Sequence, residues 1–446
     1  MSSEKQYIGL FNACRSAIDS HSSPLLNGRR DAAFRHFCET GFPSRRVERY
    51  RYSDMDKLFQ PDFGLNINRL NIPVNPYDAF RCDVPNLSTL LFFVVNDAFY
   101  DQQQPRCQLP DGVYVGAAGR APEPVLRAVG SRYDALADHS DGPTALNTML
   151  AQDCLLVYFP RHTRMEKTLQ VINILRSDVD LMVARRVLIV LEEDAEATIL
   201  FCDHAADDRR FLTNEVTEIF LSPGARLRYY SLEETHARNV RIANTFVRQE
   251  ERSLIDHNLF TLHNGTTRNR VDVALEGEGA ECSMGGCVIV DKTQHADNNT
   301  LIAHHAQHCQ SHQLYKYVAG ESAVGAFAGK VLVAEGAQKT VSQMSNQNLV
   351  TSPEAHVYAQ PMLEIYADDV KCGHGSTVGQ LNDAALFYMR QRGIPLDEAR
   401  MLLQLAFVGE VVDRITLIPL RDRLRHLVDK RFRGELNKCA GCRLCK

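Results

Sequence analysis

A cysteine and a histidine two residues apart are the first candidates for chemistry. Cys372 and His374 alternate with Gly373 and Gly375. In an extended strand both side chains project from the same face, and in a glycine-flanked loop both can reach outward. A thiolate and an imidazole are suitable ligands for iron or zinc. A tetrahedral site needs four ligands, so the others would have to come from another chain. The alternative is a buried cysteine beside a loop histidine.

A denser group of metal-ligand residue types precedes this pair. It consists of His304, His305, His308, Cys309 and His312. Positions 304, 308 and 312 would share one face of a helix, and their even spacing would also place them on one face of a strand. The group is therefore compatible with a metal site and with a set of structural polar residues.

The last three cysteines, Cys439, Cys442 and Cys445, follow a Cys-x-x-Cys-x-x-Cys spacing. That spacing lets three thiolates converge on one metal ion or cluster. The neighbouring Lys438, Arg443 and Lys446 would favour the thiolate forms. Two interpretations stay open: a metal or cluster site, and a disordered tail with exposed thiols.

The sequence contains no motif for nucleotide hydrolysis. The stretch from Gly325 to Lys330 has one residue too few between its glycines for a phosphate-binding loop, and neither Ser nor Thr follows Lys330. Gly285-Gly286 is better explained as a turn. We therefore predict that the chain is not an enzyme, and that any ATP hydrolysis is supplied by a partner.

Bulk composition indicates an ordinary globular protein. The 446 residues are 44% hydrophobic and 24% charged, with a net charge of −5 that gives no reason to expect nucleic-acid or membrane binding. Apolar runs such as Leu90 to Val95 and Val187 to Leu191 are far shorter than the roughly 20 residues of a membrane span. The polar N-terminus does not resemble a secretory signal. We expect a soluble cytoplasmic protein whose ten scattered cysteines are free thiols.

The predicted secondary structure changes near residues 150 and 380. Residues 1–150 are helix-rich, although Leu90 to Val95 is β-like. From about 151 to 370, short β-prone runs recur, separated by turn residues. They include Leu155 to Phe159, Leu169 to Ile174, Val187 to Leu191, Ala197 to Phe201, Arg226 to Tyr230, Asn269 to Leu275 and Lys330 to Val333. Most gaps are too short for crossover helices, which argues against βαβ units.

Two all-β architectures fit this strand-rich region: a sandwich and a solenoid. About 220 residues of short strands is long for one sandwich, whereas a solenoid grows by stacking coils without a larger core. We find no strict repeat, so the strand spacing alone favours the solenoid only modestly.

Helical character returns after about residue 380. Ala384 to Arg392 predicts one helix that stops at Gly393, and a second helix follows Pro395 through Glu398 to Val408. The second helix is apolar on more than one side. We expect one side to face the core, with a partner protein or further burial on the other.

Several of these segments closely resemble the SufD branch of the SufB/SufD family of iron–sulfur cluster assembly proteins. The resemblance is strongest over Leu363 to Gly379, which includes Cys372-Gly373-His374-Gly375, and over Leu386 to Ile394. Other matching segments are Gly41 to Glu48, His304 with His308-Cys309, Gln313 to Lys316, Gly336 to Thr340 and Ser345 to Leu349. Tyr50 departs from the family, in which many members have Trp.

This resemblance implies a mainly β fold, a right-handed parallel β-helix (solenoid) with α-helical subdomains at both ends of the chain. We accordingly expect an N-terminal helix-rich subdomain over 1–150 and a β-helix core over 151–375. A C-terminal helical subdomain with the cysteine-rich tail follows over 376–446. On such coils the residues around His304 are expected to form polar ladders rather than a metal site.

The resemblance also implies partners. A SufB-like paralogue would pair with the end of the β-helix, where His374, with Cys372 beside it, would act together with a cysteine of that paralogue. A SufC-like ABC-type ATPase would bind the C-terminal helices. The residues expected to bind it are Phe387, Arg392, Leu402, Leu405, Phe407 and Glu410.

We therefore predict a non-catalytic, SufD-like scaffold subunit of a SufBCD complex. It would hold no permanent cofactor, only a transient iron–sulfur cluster or iron shared with the SufB-like partner. The alternative is a self-sufficient homodimeric scaffold that uses its own Cys and His ligands. A polysaccharide-acting β-helix enzyme is disfavoured, because Asp368-Asp369 is the nearest approach to a catalytic acid pair.

Overall fold

The structure is a computed structural model that describes residues 3–76, 89–101 and 109–435. Most of it consists of strands. These are β1 (Thr89–Val95), β2 (Ala98–Tyr100), β3 (Tyr114–Ala117), β4 (Leu155–Phe159), β5 (Thr168–Leu175), β6 (Leu181–Leu191), β7 (Glu196–Ala205), β8 (Phe211–Leu221), β9 (Arg226–Glu234), β10 (Val240–Gln249), β11 (Leu254–His263), β12 (Thr266–Leu275), β13 (Glu281–Val290), β14 (His295–His304), β15 (Gln310–Ala319), β16 (Val324–Val333), β17 (Val341–Val350), β18 (His356–Ile365) and β19 (Lys371–Gly379).

Successive strands from β4 onward alternate between two sheets. The odd-numbered strands from β5 to β19 continue a ten-stranded sheet that begins with β2 and β1, and the even-numbered strands from β4 to β18 continue a nine-stranded sheet that begins with β3. Neighbours from β4 and β5 onward are parallel and lie one coil apart. The chain is thus a β-solenoid, and the predicted parallel β-helix with helices towards both ends of the chain is confirmed.

The coils vary in length. Thr266, His295 and Val324 stack in register at intervals of 29 residues. The step from Val240 to Thr266 is 26 residues, and the step from Val324 to His356 is 32. Turns of different length absorb this variation, which explains why the sequence has no strict repeat. The strands stay in register apart from one shift at Thr261/His263, where β11 pairs with β9.

The interior of the solenoid is lined by apolar rows that run from coil to coil. One row consists of Ile189, Ile219, Val247, Val273, Ile302 and Val331. All six side chains are buried in the same cluster. Each coil therefore buries its inward residues against its neighbours, and this stacking drives the fold.

Helices from the first part of the chain cover the outer face of the nine-stranded sheet. They are α1 (Ser3–Ser20), α2 (Pro24–Thr40), α3 (Met55–Phe59), α4 (Glu123–Val129) and α5 (Gly142–Leu150), with short 3-10 helices at Glu48–Tyr50 and Ala118–Arg120. Phe11 and Phe37 belong to a buried cluster with Met182 of β6 and Leu212 of β8. The interior of the solenoid covers one face of β6 and β8 and the N-terminal helices cover the other, so every residue of both strands is buried.

Two C-terminal helices, α7 (Leu396–Val412) and α8 (Ile418–Phe432), cover part of the outer face of the ten-stranded sheet, and α6 (Asp383–Gln391) packs against α7. Val411 of α7 and Leu424 of α8 pack in one cluster with Tyr230 and Leu314 of the sheet. The predicted stop at Gly393 matches its positive φ of 83°. Within the described ranges, no helix combines the length and apolar character needed to cross a membrane.

Candidate functional site at the open end of the solenoid

Both sheets of the solenoid end on strands with an open edge. β18 is the last strand of the nine-stranded sheet and β19 the last of the ten-stranded sheet, and across the described residues no strand pairs with their outer edges. No side chain of β18 or β19 is fully buried, whereas earlier strands are mostly buried. Unpaired backbone N–H and C=O groups along such edges are templates for pairing with another chain.

Cys372 and His374 lie on β19, at this edge. Cys372 is in register with Ser342 and His374 with Met344, both buried residues of β17. Met344 belongs to the interior cluster, and Cys372 packs against it. His374 shares the face of Cys372 and continues the interior row, yet it is exposed because β19 belongs to the last coil. One further coil, or the end of a second solenoid, would cover the imidazole.

The two candidate ligands differ in their readiness to bind a metal. Cys372 is half-buried, and burial raises the pKa of its thiol above the ordinary value. A thiol must lose its proton to become a ligand or a nucleophile, so Cys372 is held in its less reactive form. The imidazole of His374 is exposed and therefore accessible to a ligand or to a docked chain.

The strand that carries this pair is fixed by asparagines of β17. Asn348 Nδ2 donates to the carbonyl oxygen of Thr377 at 2.9 Å, and Ser376 Oγ donates to Asn346 Oδ1 at 3.3 Å. Asn346 Nδ2 in turn donates to the carbonyl oxygen of Tyr315, one coil further back. This ladder positions β19. Sequence reasoning treated Ser345 to Leu349 only as a matching segment, although two asparagines at strand spacing were a signal for such a ladder.

The histidine-rich group around residue 304 is dispersed by the fold. His304 ends β14, where its Nε2 lies 2.9 Å from Ser311 Oγ, and that hydroxyl lies 2.8 Å from Ser342 Oγ. Burial lowers the pKa of His304 to about 4, so the ring is neutral at pH 7. His305 and His308 lie exposed in the next turn. Throughout the described ranges, no three His, Cys, Asp or Glu side chains are grouped as metal ligands.

The six residues expected to bind an ATPase fall into two groups. Phe387 is 65% exposed and Leu402 37% exposed, and Arg392 is also exposed. The guanidinium of Arg392 lies over the ring of Tyr388, 4.9 Å from its centroid. All these side chains face away from the solenoid core. They form the outer surface of α6 and α7.

The other three, Leu405, Phe407 and Glu410, contact the solenoid, although the side chain of Glu410 is still 53% exposed. Leu405 and Phe407 are partly buried against the cluster under α7. Glu410 Oε2 forms an ion pair with Lys316 Nζ at 2.5 Å, and the side chain of Lys316 is only 5% exposed. Lys316 Nζ also donates to the carbonyl oxygen of Phe407 at 2.9 Å and lies 4.6 Å from the centroid of its ring. Lys316 therefore links α7 to β15, a role that sequence reasoning missed.

A second buried group that sequence reasoning missed lies inside the solenoid, on strands β6 to β10. Arg185 Nη1 lies 3.0 Å from both Asp203 Oδ1 and Glu215 Oε2. Arg241 reaches the same two carboxylates at 3.3 and 3.2 Å. Arg185 and Glu215 lie opposite each other on neighbouring strands, one coil apart. The only signal for this pair in the sequence was the 30-residue spacing of two opposite charges.

The predicted ligands Cys439, Cys442 and Cys445 lie outside the described residues. The metal or cluster site of the C-terminal cysteines therefore stays a prediction.

Comparison with known proteins identifies relatives across the whole chain. A family model described as "SUF system FeS cluster assembly, SufBD core domain" matches residues 174–407, and one described as "SufBD protein N-terminal region" matches residues 1–171. An iron–sulfur cluster assembly SufBD family protein of Synechocystis is 28% identical over 433 residues, 94% of this chain and 93% of the relative. The iron–sulfur cluster assembly protein SufD of Escherichia coli is 28% identical over 410 residues, 89% of this chain and 90% of the relative.

Proposed function

This chain belongs to the SufBD family of the SUF system for iron–sulfur cluster assembly, and from that premise we propose that it works as a SufD-like scaffold subunit of a SufBCD complex. Its solenoid end pairs with a SufB-like paralogue. Its C-terminal helices bind a SufC-like ABC-type ATPase. It carries out this role in the cytoplasm and has no active site of its own.

The observation that carries the proposal is the position of His374 in an uncovered interior row. His374 is exposed, whereas Met344, which occupies the matching position one coil earlier, is fully buried. The end of a second solenoid docked on β18 and β19 would remove this row from water and satisfy the open strand edges. A chamber between two solenoids would then hold ligands from both chains.

Iron and sulfide, the substrates of this assembly, need ligands that bind and then release. His374 offers an imidazole nitrogen, and a cysteine of the SufB-like partner offers a thiolate. Cys372 lies beside them and would become a ligand only after losing its proton, which burial disfavours by raising the pKa of its thiol. With ligands divided between two chains, separating the chains would dismantle the site and release the cluster.

The energy for such a change must come from a partner, since the sequence has no nucleotide-hydrolysis motif. We propose that the SufC-like ATPase binds the outer surface formed by Phe387, Arg392 and Leu402. A movement of α7 caused by the ATPase would reach the solenoid through the contacts of Phe407 and Glu410 with Lys316. Lys316 lies on β15, two strands from the open edge.

The first test is His374→Ala in the complex purified with the SufB-like and SufC-like partners. Because His374 is exposed in the monomer, we expect an intact complex that assembles no cluster, measured by absorbance and iron content after anaerobic assembly. The matched control is His305→Ala, an exposed histidine in a turn, which should assemble clusters normally.

Normal cluster formation by His374→Ala would refute the proposed role of His374. The alternative, a self-sufficient homodimeric scaffold, is favoured by the same open edges, which a second copy of this chain would also fit. Stable, stoichiometric cluster binding by the lone chain during anaerobic reconstitution would support that alternative.

A further inference from the structure

A segment of the N-terminal region, residues 44–53, crosses the outer face of the nine-stranded sheet and reaches its last strand. We call it the N-terminal belt. The guanidinium of Arg49 pairs with the carboxylate of Asp272 on β12, with N–O distances of 3.0 and 3.2 Å. At the far end, the ring of Tyr52 stacks on the ring of Tyr358 on β18, with centroids 4.5 Å apart and planes at 15°. The belt therefore connects the helical region to the open end.

Buried contacts hold the belt in one position. Arg268 Nη2 donates to the carbonyl oxygen of Arg49 at 2.7 Å, and its guanidinium lies 3.9 Å from the centroid of the Tyr50 ring. Tyr50 is 3% exposed, and its hydroxyl donates to Asp141. Ser53 Oγ donates to Asp297 Oδ2 on β14 at 2.6 Å. The exposed residues between these anchors are thus presented at a fixed place.

What the belt presents is an apolar side chain among arginines. Val47 is 48% exposed. Arg45, Arg46 and Arg51 are exposed as well, and across the described ranges no carboxylate lies within 4.0 Å of their guanidinium groups. Elsewhere on the same belt, Glu48 Oε1 accepts from Gln360 Nε2 of β18 at 2.7 Å. The exposed tip is therefore basic, and it lies beside the last strand.

We propose that the N-terminal belt is a second wall of the docking surface at the open end, and that it takes the acidic rim of a second solenoid of the same family. The proposal rests on the function proposed above. A chain that pairs with the open edge of β18 extends the sheet past Tyr358, and so comes alongside the belt. Val47 would then be buried at the joint, and the arginines would face the partner's carboxylates.

The charge pattern of this chain's own end supports that occupant. Glu354, in the turn before β18, and Asp368, in the turn before β19, are both exposed carboxylates, and Lys371 at the start of β19 is exposed as well. A second solenoid of the same family with similar turns would bring carboxylates to the joint, opposite the arginines. Such rim charges mainly accelerate association and fix the orientation of the partners.

The test uses the full chain with the double substitution Arg46→Glu and Val47→Asp, titrated with the purified SufB-like paralogue. We expect the Kd to rise roughly tenfold at low salt, mostly through slower association. The affinity of the unsubstituted chain should fall as salt is added, and that of the variant should fall less. Arg35→Glu, a charge reversal on an exposed position of α2, is the matched control and should leave the Kd unchanged.

A separate variant, Val378→Asp on β19, tells this inference apart from the proposed function. If Val378→Asp prevents binding while the belt variant binds as tightly as the unsubstituted chain, the belt inference is wrong and end-to-end pairing stands. If neither variant changes the Kd, or if the unsubstituted chain does not bind the paralogue, both are wrong. Thermal unfolding of each variant confirms that its fold is intact before the titration is interpreted.

Discussion

Two neighbours on the last strand, Cys372 and His374, share one face of β19 but have unequal access to solvent. Cys372 is half-buried with a raised thiol pKa, and His374 is exposed. The same residue types one coil earlier would both be buried, because Ser342 and Met344 at the matching positions are. At the residue scale, the chemistry of this site is therefore set by position in the stack rather than by residue type.

Glu233 on β9 supplies a prediction at this scale. Burial raises its pKa from the ordinary value of 4.5 to about 7, although hydrogen bonds from Thr267 and Thr261 favour the carboxylate. Between pH 4.5 and 7 the folded chain therefore holds a proton that the unfolded chain has lost. Stability from the protonated form is present below pH 4.5 and is lost as the pH rises through 7.

We expect Glu233→Gln to remove that pH dependence. From pH 4.5 to pH 7 and above, the free energy of unfolding of the variant should gain about 3 kcal/mol relative to the unsubstituted chain. Urea unfolding at several pH values measures it. Glu281→Gln, at an exposed position on β13, is the control. Parallel pH profiles for the unsubstituted chain and Glu233→Gln would show that Glu233 does not bind this proton.

The elements differ in how they meet the solenoid. N-terminal helices cover the nine-stranded sheet with a large aromatic cluster that includes Phe11 and Phe37. The C-terminal helices α7 and α8 cover part of the ten-stranded sheet, whereas α6 packs against α7 and buries none of its residues. A helix with so few buried contacts can change its position when a partner binds, and its exposed apolar residues leave surface for that partner to cover. Both features are consistent with the proposed binding of an ATPase there.

Lys316→Met tests how α7 is held. The substitution keeps the length of the side chain but removes the ion pair with Glu410 and the hydrogen bond to Phe407, leaving that carbonyl oxygen with one partner fewer. We expect a loss of about 1–3 kcal/mol in the stability of α7 docking. Hydrogen exchange followed by mass spectrometry should show faster exchange in Leu396–Val412 than in the unsubstituted chain.

Lys330→Met is the matched control, because the ion pair of Lys330 with Glu364 is more than a third exposed, and solvent screening leaves such a pair with little effect on stability. Equal exchange of α7 in both variants would contradict the role assigned to Lys316.

At the scale of the whole molecule, the solenoid is closed at its sides and open at one end. Helices cover parts of the outer faces, and the interior rows are continuous, but within the described ranges no strand pairs with the outer edges of β18 and β19. Natural proteins usually protect such edges with charges, bulges or a covering element. Here Val378 is 54% exposed on the last strand, which is typical of a surface that another chain covers.

We expect the lone chain to self-associate through this end as its concentration rises. Val378→Lys should shift it towards the monomer, because a charged edge residue opposes pairing. Sedimentation velocity over a range of concentrations measures the effect. Val179→Lys, at an exposed valine in the turn between β5 and β6, is the control and should leave association unchanged. A monomer at every concentration would contradict the expectation.

Much of this architecture could be predicted from local patterns in the sequence. Short apolar runs interrupted by turn residues predicted eight of the strands, from β1 to β16, and the Gly393 and Pro395 signals predicted the end of α6 and the start of α7. The resemblance over Leu363 to Gly379 singled out His374. These inferences succeed because alternation and helical spacing are properties of a few consecutive residues. The C-terminal helix α8 was missed, since its apolar face is narrow among many charges.

Other features were decided only by the tertiary structure. The pair of Arg185 with Glu215, the link of Lys316 to Phe407 and the stack of Tyr52 on Tyr358 join residues 30, 91 and 306 positions apart. Local spacing carries no information on such contacts, because they depend on how coil lengths of 26 to 32 residues add up along the stack. The sequence by itself determined where short strands recur and which residue types are candidate ligands for iron. The stacking determined that His374 stands on β19, beyond which the described part of the chain adds no further strand.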